Sequence, residues 1–78
     1  MKAEELIKQF DKINANGFQL SKRKGILTST WLLYQKNQFY YFFDIVDKIV
    51  FNDSHKYSKD EFIEEFKNSH FEIDCVIS

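Results

Sequence analysis

Few side chains in this 78-residue sequence could do chemistry. The imidazoles are His55, within Asn52-Asp-Ser-His-Lys56, and His70, just ahead of an alternating run. The one thiol is Cys75. No His-x-x-His or Cys-x-x-Cys spacing is present, and a zinc site needs about four ligands. Asn52-Asp-Ser-His lacks the ligand spacing and the glycine of a calcium loop. Gly17 and Gly25 are isolated, so no glycine-rich phosphate loop is available. Cys75 falls on the apolar side of Phe71-Glu-Ile-Asp-Cys-Val-Ile77 and is expected to be a small buried hydrophobe rather than a nucleophile. Glu64 and Glu65 lie on the outer side of a helical stretch, normally a solvated face. Nothing gathers a nucleophile, a base and an oxyanion donor. The expectation is a protein that is not an enzyme, with no cofactor and no metal site, acting through a contact surface.

The elements that would carry such a surface follow from periodicity. Ala3, Leu6, Ile7, Phe10 and Ile13 recur at helical spacing, which predicts an amphipathic helix over roughly residues 2–15. Gly17 is expected to end it in the left-handed conformation. Phe18-Gln-Leu20 reads as a short extended piece and Ser21-Lys-Arg-Lys-Gly25 as a basic turn. From Ile26 the period becomes two. Ile26–Tyr34 and Phe39–Asp44 are rich in Thr, Leu and aromatic residues, which suits strands joined across Gln35–Gln38. A tight connection near Val46-Asp-Lys48 leads to a third expected strand, Ile49-Val-Phe51.

Ser58-Lys-Asp-Glu61 has the pattern of a capping box, and Tyr57 with Phe62 that of a hydrophobic staple. They predict a helix to about Asn68 with Phe62, Ile63 and Phe66 on its inner face. Phe71–Ile77 alternates and reads as a strand with one buried face. The fold class is α+β, in the order α-β-β-β-α-β: a small antiparallel sheet with two helices on one face, in a single domain over 1–78.

Composition agrees. Nine Phe, four Tyr and one Trp are too aromatic for a disordered chain. A chain this short buries only about 60–65% of its unfolded surface, so its core is thin. The longest apolar run, Phe39 to Phe43, is far short of the ~20 residues that cross a bilayer. Acids and lysines interrupt the start where a signal peptide would be apolar. The expectation is a soluble, cytoplasmic protein with no membrane partner, and the lone cysteine accords with a reducing compartment.

Hairpin parity sorts the central residues into two faces. With Tyr34 opposite Phe39, one face carries Leu27, Trp31, Leu33, Tyr40 and Phe42. The other carries Ile26, Thr28, Thr30, Leu32, Tyr34, Phe39, Tyr41 and Phe43. Helices on one side cover only one of them, and the Trp31/Leu33/Phe42 face is expected to be the core. The second face then holds more apolar area than a monomer usually leaves wet, which points to a protein contact through Thr30, Leu32, Tyr34, Phe39 and Tyr41.

Charge offers two further surfaces. Residues 1–40 carry seven Lys/Arg and three acids, whereas residues 41–78 carry four Lys and nine acids. The acidic helix, through Glu61, Glu64 and Glu65, could meet a basic groove. Lys22, Arg23, Lys24 and Lys36 form the alternative nucleic-acid surface. A pI near 6.1 disfavours direct nucleic-acid contact. The acidic Ser58–Glu65 stretch also lacks the lysine cluster of a double-stranded-RNA-binding domain.

The block Trp31-Leu-Leu-Tyr34…Phe39-Tyr-Tyr-Phe-Phe43 and the helix Ser58-Lys-Asp-Glu-Phe-Ile-Glu-Glu-Phe66 resemble, in general character, the small inhibitors of phages and mobile elements, anti-CRISPR proteins among them. That resemblance implies a short α+β chain without catalytic residues that binds a host nuclease complex. The partner expected on these grounds is another protein, with a homodimer through the second sheet face as a further possibility.

Overall fold

Ala3, Leu6, Ile7 and Phe10 form the buried stripe of a helix, α1 (Ala3–Ile13), with the charged residues between them facing solvent. The structure is a computed structural model and describes residues 1–24, 26–46 and 51–78. The left-handed residue that ends α1 is Asn14, at φ 55° and ψ 46°, rather than Gly17. Asn tolerates this region because its short polar side chain can bond locally. Gly17 instead opens a strand, and its role is one of close approach. A Cβ there would lie 2.8 Å from both the Leu33 carbonyl oxygen and the Tyr34 ring.

Among the described residues five strands follow: β1 (Gly17–Lys24), β2 (Leu27–Lys36), β3 (Phe39–Asp44), β4 (Lys56–Tyr57) and β5 (His70–Ile77). The second helix, α2 (Lys59–Glu65), lies between β4 and β5. The sheet order is β4-β3-β2-β1-β5, antiparallel throughout. The basic segment expected as a turn is the second half of β1, pairing Ser21 with Thr30, Lys22 with Ser29, Arg23 with Thr28 and Lys24 with Leu27. Hydrogen bonding to β2 on one side and β5 on the other overrides its polar composition. The expected connection and third strand fall largely on residues 47–50, outside the described residues; Phe51 is in a turn. Two expected boundaries shift: β2 runs on to Lys36, and α2 stops at Glu65 rather than near Asn68.

The β2–β3 hairpin pairs Tyr34 with Tyr41 and Lys36 with Phe39, two residues away from the expected register. Its two-residue turn is Asn37-Gln38, with φ 54° and 68°. Two positive φ values mark a type I′ turn, whose twist matches that of the strands. A shift of two preserves parity, so the assignment of faces stands.

Both helices cover the Trp31/Leu33/Tyr40/Phe42 face. One buried cluster joins Leu6, Ile7 and Phe10 of α1 and Phe62 of α2 to Phe18, Leu20, Leu33, Phe42 and Phe71 of the sheet. The α2 entry is built as its sequence predicts: the Glu61 amide donates to Ser58 Oγ (3.2 Å) and the Ser58 amide to Glu61 Oε1 (3.0 Å). The Tyr57 ring meets Phe62 edge-on at 6.0 Å, completing the staple.

β5 departs from simple alternation. Gln19 pairs with Cys75 but Leu20 with Ile73, so Asp74 is an extra residue in a bulge. Phe71 and Ile73 keep to the helix side, while Cys75 and Ile77 pass to the outer face beside Gln19 and Gly17. Cys75 is therefore exposed, not the buried hydrophobe that strict alternation implies. Among the described residues, no helix is long and apolar enough to cross a membrane.

Candidate functional site

The outer face of the sheet is where the sequence places its contact residues. Rows of cross-strand neighbours run Tyr41–Tyr34–Gly17–Ile77 and Phe43–Leu32–Gln19–Cys75, with Thr30–Ser21–Glu72 beyond them. Phe39 lies opposite Lys36 at the far end. Thr30, Leu32, Tyr34, Phe39 and Tyr41 thus share one face, as parity requires.

That face has two halves. Over β3 the chain folds back and buries residues on both sides of the strand. Tyr41 is 7% and Phe43 1% exposed, although neither belongs to the helix-side cluster. Among the described residues the cover is Phe51 and the short 3-10 helix Asp53–His55, and neither α1 nor α2. The Phe51 ring meets Tyr41 edge-on at 5.1 Å and Tyr34 at 5.9 Å. Tyr34 stacks on Phe43 at 6.0 Å, and His55 lies 6.0 Å from the Phe43 ring. Two ammonium groups cap the aromatic faces: Lys36 Nζ is 4.5 Å from the Phe51 centroid and Lys56 Nζ 4.1 Å from Phe39. Tyr41 is consequently a packing residue, whereas Phe39 keeps 36% of its surface in solvent. Over β2, β1 and β5 no element lies on the outer face among the described residues. There Leu32, Thr30 and Tyr34 are half-buried, with Gln19 and Ser21 beside them and Cys75 exposed.

The acidic helix is less available than its sequence implies. The Glu61 carboxylate is taken up in the capping box, whose donors hold its pKa below the ordinary carboxylate value. Glu64 Oε1 is 2.9 Å from Lys67 Nζ. Glu65 is exposed on the same short helix. Helix α2 packs on the side opposite Leu32, so the aromatic face and the acidic residues are separate surfaces.

The basic residues do not form one patch. Lys36 sits at the other end of β2 from the Lys22–Lys24 stretch, over Phe51. Lys22 Nζ lies 4.6 Å from the Trp31 ring and 5.6 Å from Phe66, at the rim of the helix-side core.

Two features have no counterpart in the sequence reading. One is Phe51 as a cover of Tyr34 and Tyr41. The other is the apolar end of the β1–β2 hairpin, where Ile26 is 100% and Leu27 72% exposed, so that Leu27, expected on the core face, lies outside the buried cluster. The signal for the second was present, since two large aliphatics directly follow Lys-Arg-Lys-Gly. Among the described residues, no group of three or more His, Cys, Asp or Glu is gathered to hold a metal ion. Compared with known proteins, the chain matches no family model, no curated protein and no solved structure.

Proposed function

We propose that this chain is a non-catalytic protein-binding module, acting as small phage and mobile-element inhibitors do by occupying a site on a host nucleic-acid-handling, CRISPR-like complex. One observation carries the reading. Both helices pack on the same side of the sheet, and among the described residues no element lies over the outer surface of β2, β1 and β5 beside the Phe51 cover. That surface sets Leu32 beside Thr30, Gln19 and Ser21, with the half-buried Tyr34 where it meets the Phe51 cover and Phe39 beyond that cover. A flat strip of aromatic and aliphatic area with hydroxyl and amide neighbours suits a desolvated protein contact with a polar rim.

The test adds purified protein to a reconstituted host nuclease complex and measures complex formation and cleavage. Wild type is expected to bind and to suppress cleavage. Thr30→Arg and Leu32→Arg are expected to abolish both while leaving the fold intact by circular dichroism. The pair Glu64→Lys/Glu65→Lys is expected to have no effect. Loss only in the helix pair would move the contact to α2. Binding by every variant, or a concentration-dependent dimer by light scattering with no heterologous binding, would remove the reading.

A further inference from the structure

Strand β5 ends the sheet. One side of it pairs with β1, and among the described residues no strand runs along the other. Such an edge presents a row of backbone N–H and C=O groups, a template for a further strand. The chain itself shows what this edge accepts. The Phe71 amide donates to the Met1 carbonyl (2.8 Å), and the Met1 amino group donates to the Phe71 carbonyl (2.6 Å). One residue thus makes both bonds of an antiparallel hydrogen-bonded pair. Helix α1 begins at Ala3 and leads the chain away from the edge. By strand alternation the backbone groups of Ile73 point the same way as those of Phe71, and β5 runs on to Ile77.

We propose that the outer edge of β5, from Ile73 to Ile77, is a strand-addition site for an extended basic segment of another protein. Main-chain bonds to the edge supply the affinity of such a contact, and alternate side chains its specificity. The side chains of β5 select the occupant. Glu72 and Asp74 lie exposed on the outer face, where the Ser21 hydroxyl donates to Asp74 Oδ2 (2.5 Å). No Lys or Arg occurs from His70 to Ser78. On the helix side, Ile73 is half-buried at the rim of the core, and Val76, opposite Phe18, keeps 47% of its surface in solvent. An added strand therefore meets acids on one face and aliphatic surface on the other. That arrangement suits Lys or Arg alternating with Val, Ile or Leu. A second copy of β5 brings its own Glu72 and Asp74 to the same edge, where like charges on neighbouring strands repel. The site uses the margin of the sheet and does not rest on the contact face around Leu32, so Leu32→Arg is expected to leave it intact.

The experiment is fluorescence anisotropy of the whole chain with three labelled short peptides: alternating Lys-Val, alternating Glu-Val, and Lys-Val with N-methyl groups on its valine amides. Lys-Val is expected to bind about tenfold tighter than Glu-Val, since each exposed charge pair contributes modestly. N-methylation keeps every side chain but removes the donors aimed at Ile73, and is expected to abolish binding. Glu72→Lys, at an exposed position, is expected to weaken Lys-Val and to strengthen Glu-Val. Bound Lys-Val is expected to slow hydrogen exchange at the Ile73 amide. No binding of Lys-Val at low salt, equal binding of its N-methylated form, indifference to Glu72→Lys, or unchanged exchange at Ile73 would each overturn the proposal. So would a stable dimer of the free chain that the peptide must displace, because the edge would then belong to a second copy.

Discussion

Gly17 has no room for a methyl group. Its missing side chain lets the Tyr34 ring lie across β1, and a Cβ would come within 2.8 Å of the Leu33 carbonyl oxygen, a backbone atom that cannot swing aside. Gly17→Ala is expected to destabilise by about 1–3 kcal/mol, the usual range for overpacking a filled site, read as a lower urea midpoint with unchanged slope. The sequence shows a glycine after a helix and suggests an end-cap; the actual reason is tertiary and depends on a ring seventeen residues away. The α2 cap is the opposite case, because every atom it uses lies within four consecutive residues. Ser58→Ala leaves the Glu61 amide without its acceptor and is expected to cost about 1 kcal/mol in the same assay.

Between elements, legibility follows the range of the interactions that decide each one. Helix α1, the α2 entry and strand β3 were readable, because apolar spacing and local hydrogen bonds specify them. Strand β1 was half hidden: Ser21-Lys-Arg-Lys24 carries no strand signal of its own and is extended through pairing with β2 and β5. The contact face was readable as a face, since parity survives a two-residue slip, but not in its extent. No local pattern tells that Phe51 folds back over Tyr34 and Tyr41, or that the Asp74 bulge turns Cys75 outward. The slip itself has a local cause in Asn37-Gln38, whose two positive φ values put a long side chain at a left-handed position. Gln38→Gly creates the Asn-Gly pair that type I′ turns prefer and is expected to stabilise by about 1 kcal/mol, read as a higher urea midpoint.

At the scale of the whole molecule, one aromatic side chain connects nearly everything on the helix side. Phe62 is fully buried and its ring meets those of Tyr40, Phe42, Tyr57, Phe66 and Phe71. Phe62→Ala is expected to cost about 3–5 kcal/mol, a large share of the stability of so small a domain, read as loss of a cooperative thermal transition or a steep drop in its midpoint. The same packing sets how the fold responds to pH. Burial raises the Tyr40 phenol above its ordinary value of 10.0, partly offset by the hydrogen bond from Gln35. Burial also raises Tyr57, with the Glu65 and Glu61 charges adding to it. A raised acid keeps its proton longer folded than unfolded. Its stabilisation is therefore complete below pH 10 and is lost as the pH rises through the higher folded value. Lys67, raised by its hydrogen bond to Glu64, acts in the same direction. Glu61 works from the other end. Its folded pKa lies below the ordinary 4.5, so its contribution holds above that value and is lost as the pH falls through the lowered one. Melting temperature against pH is expected to be flat between about 5 and 9 and to fall on both sides. Tyr57→Phe keeps the ring and removes the titration, and is expected to make the alkaline fall shallower with the acid side untouched. Glu61→Gln is expected to make the acid fall shallower and, because the Glu61 charge helps to raise Tyr57, to soften the alkaline fall as well. A pH profile that neither variant alters would show that these groups do not govern it.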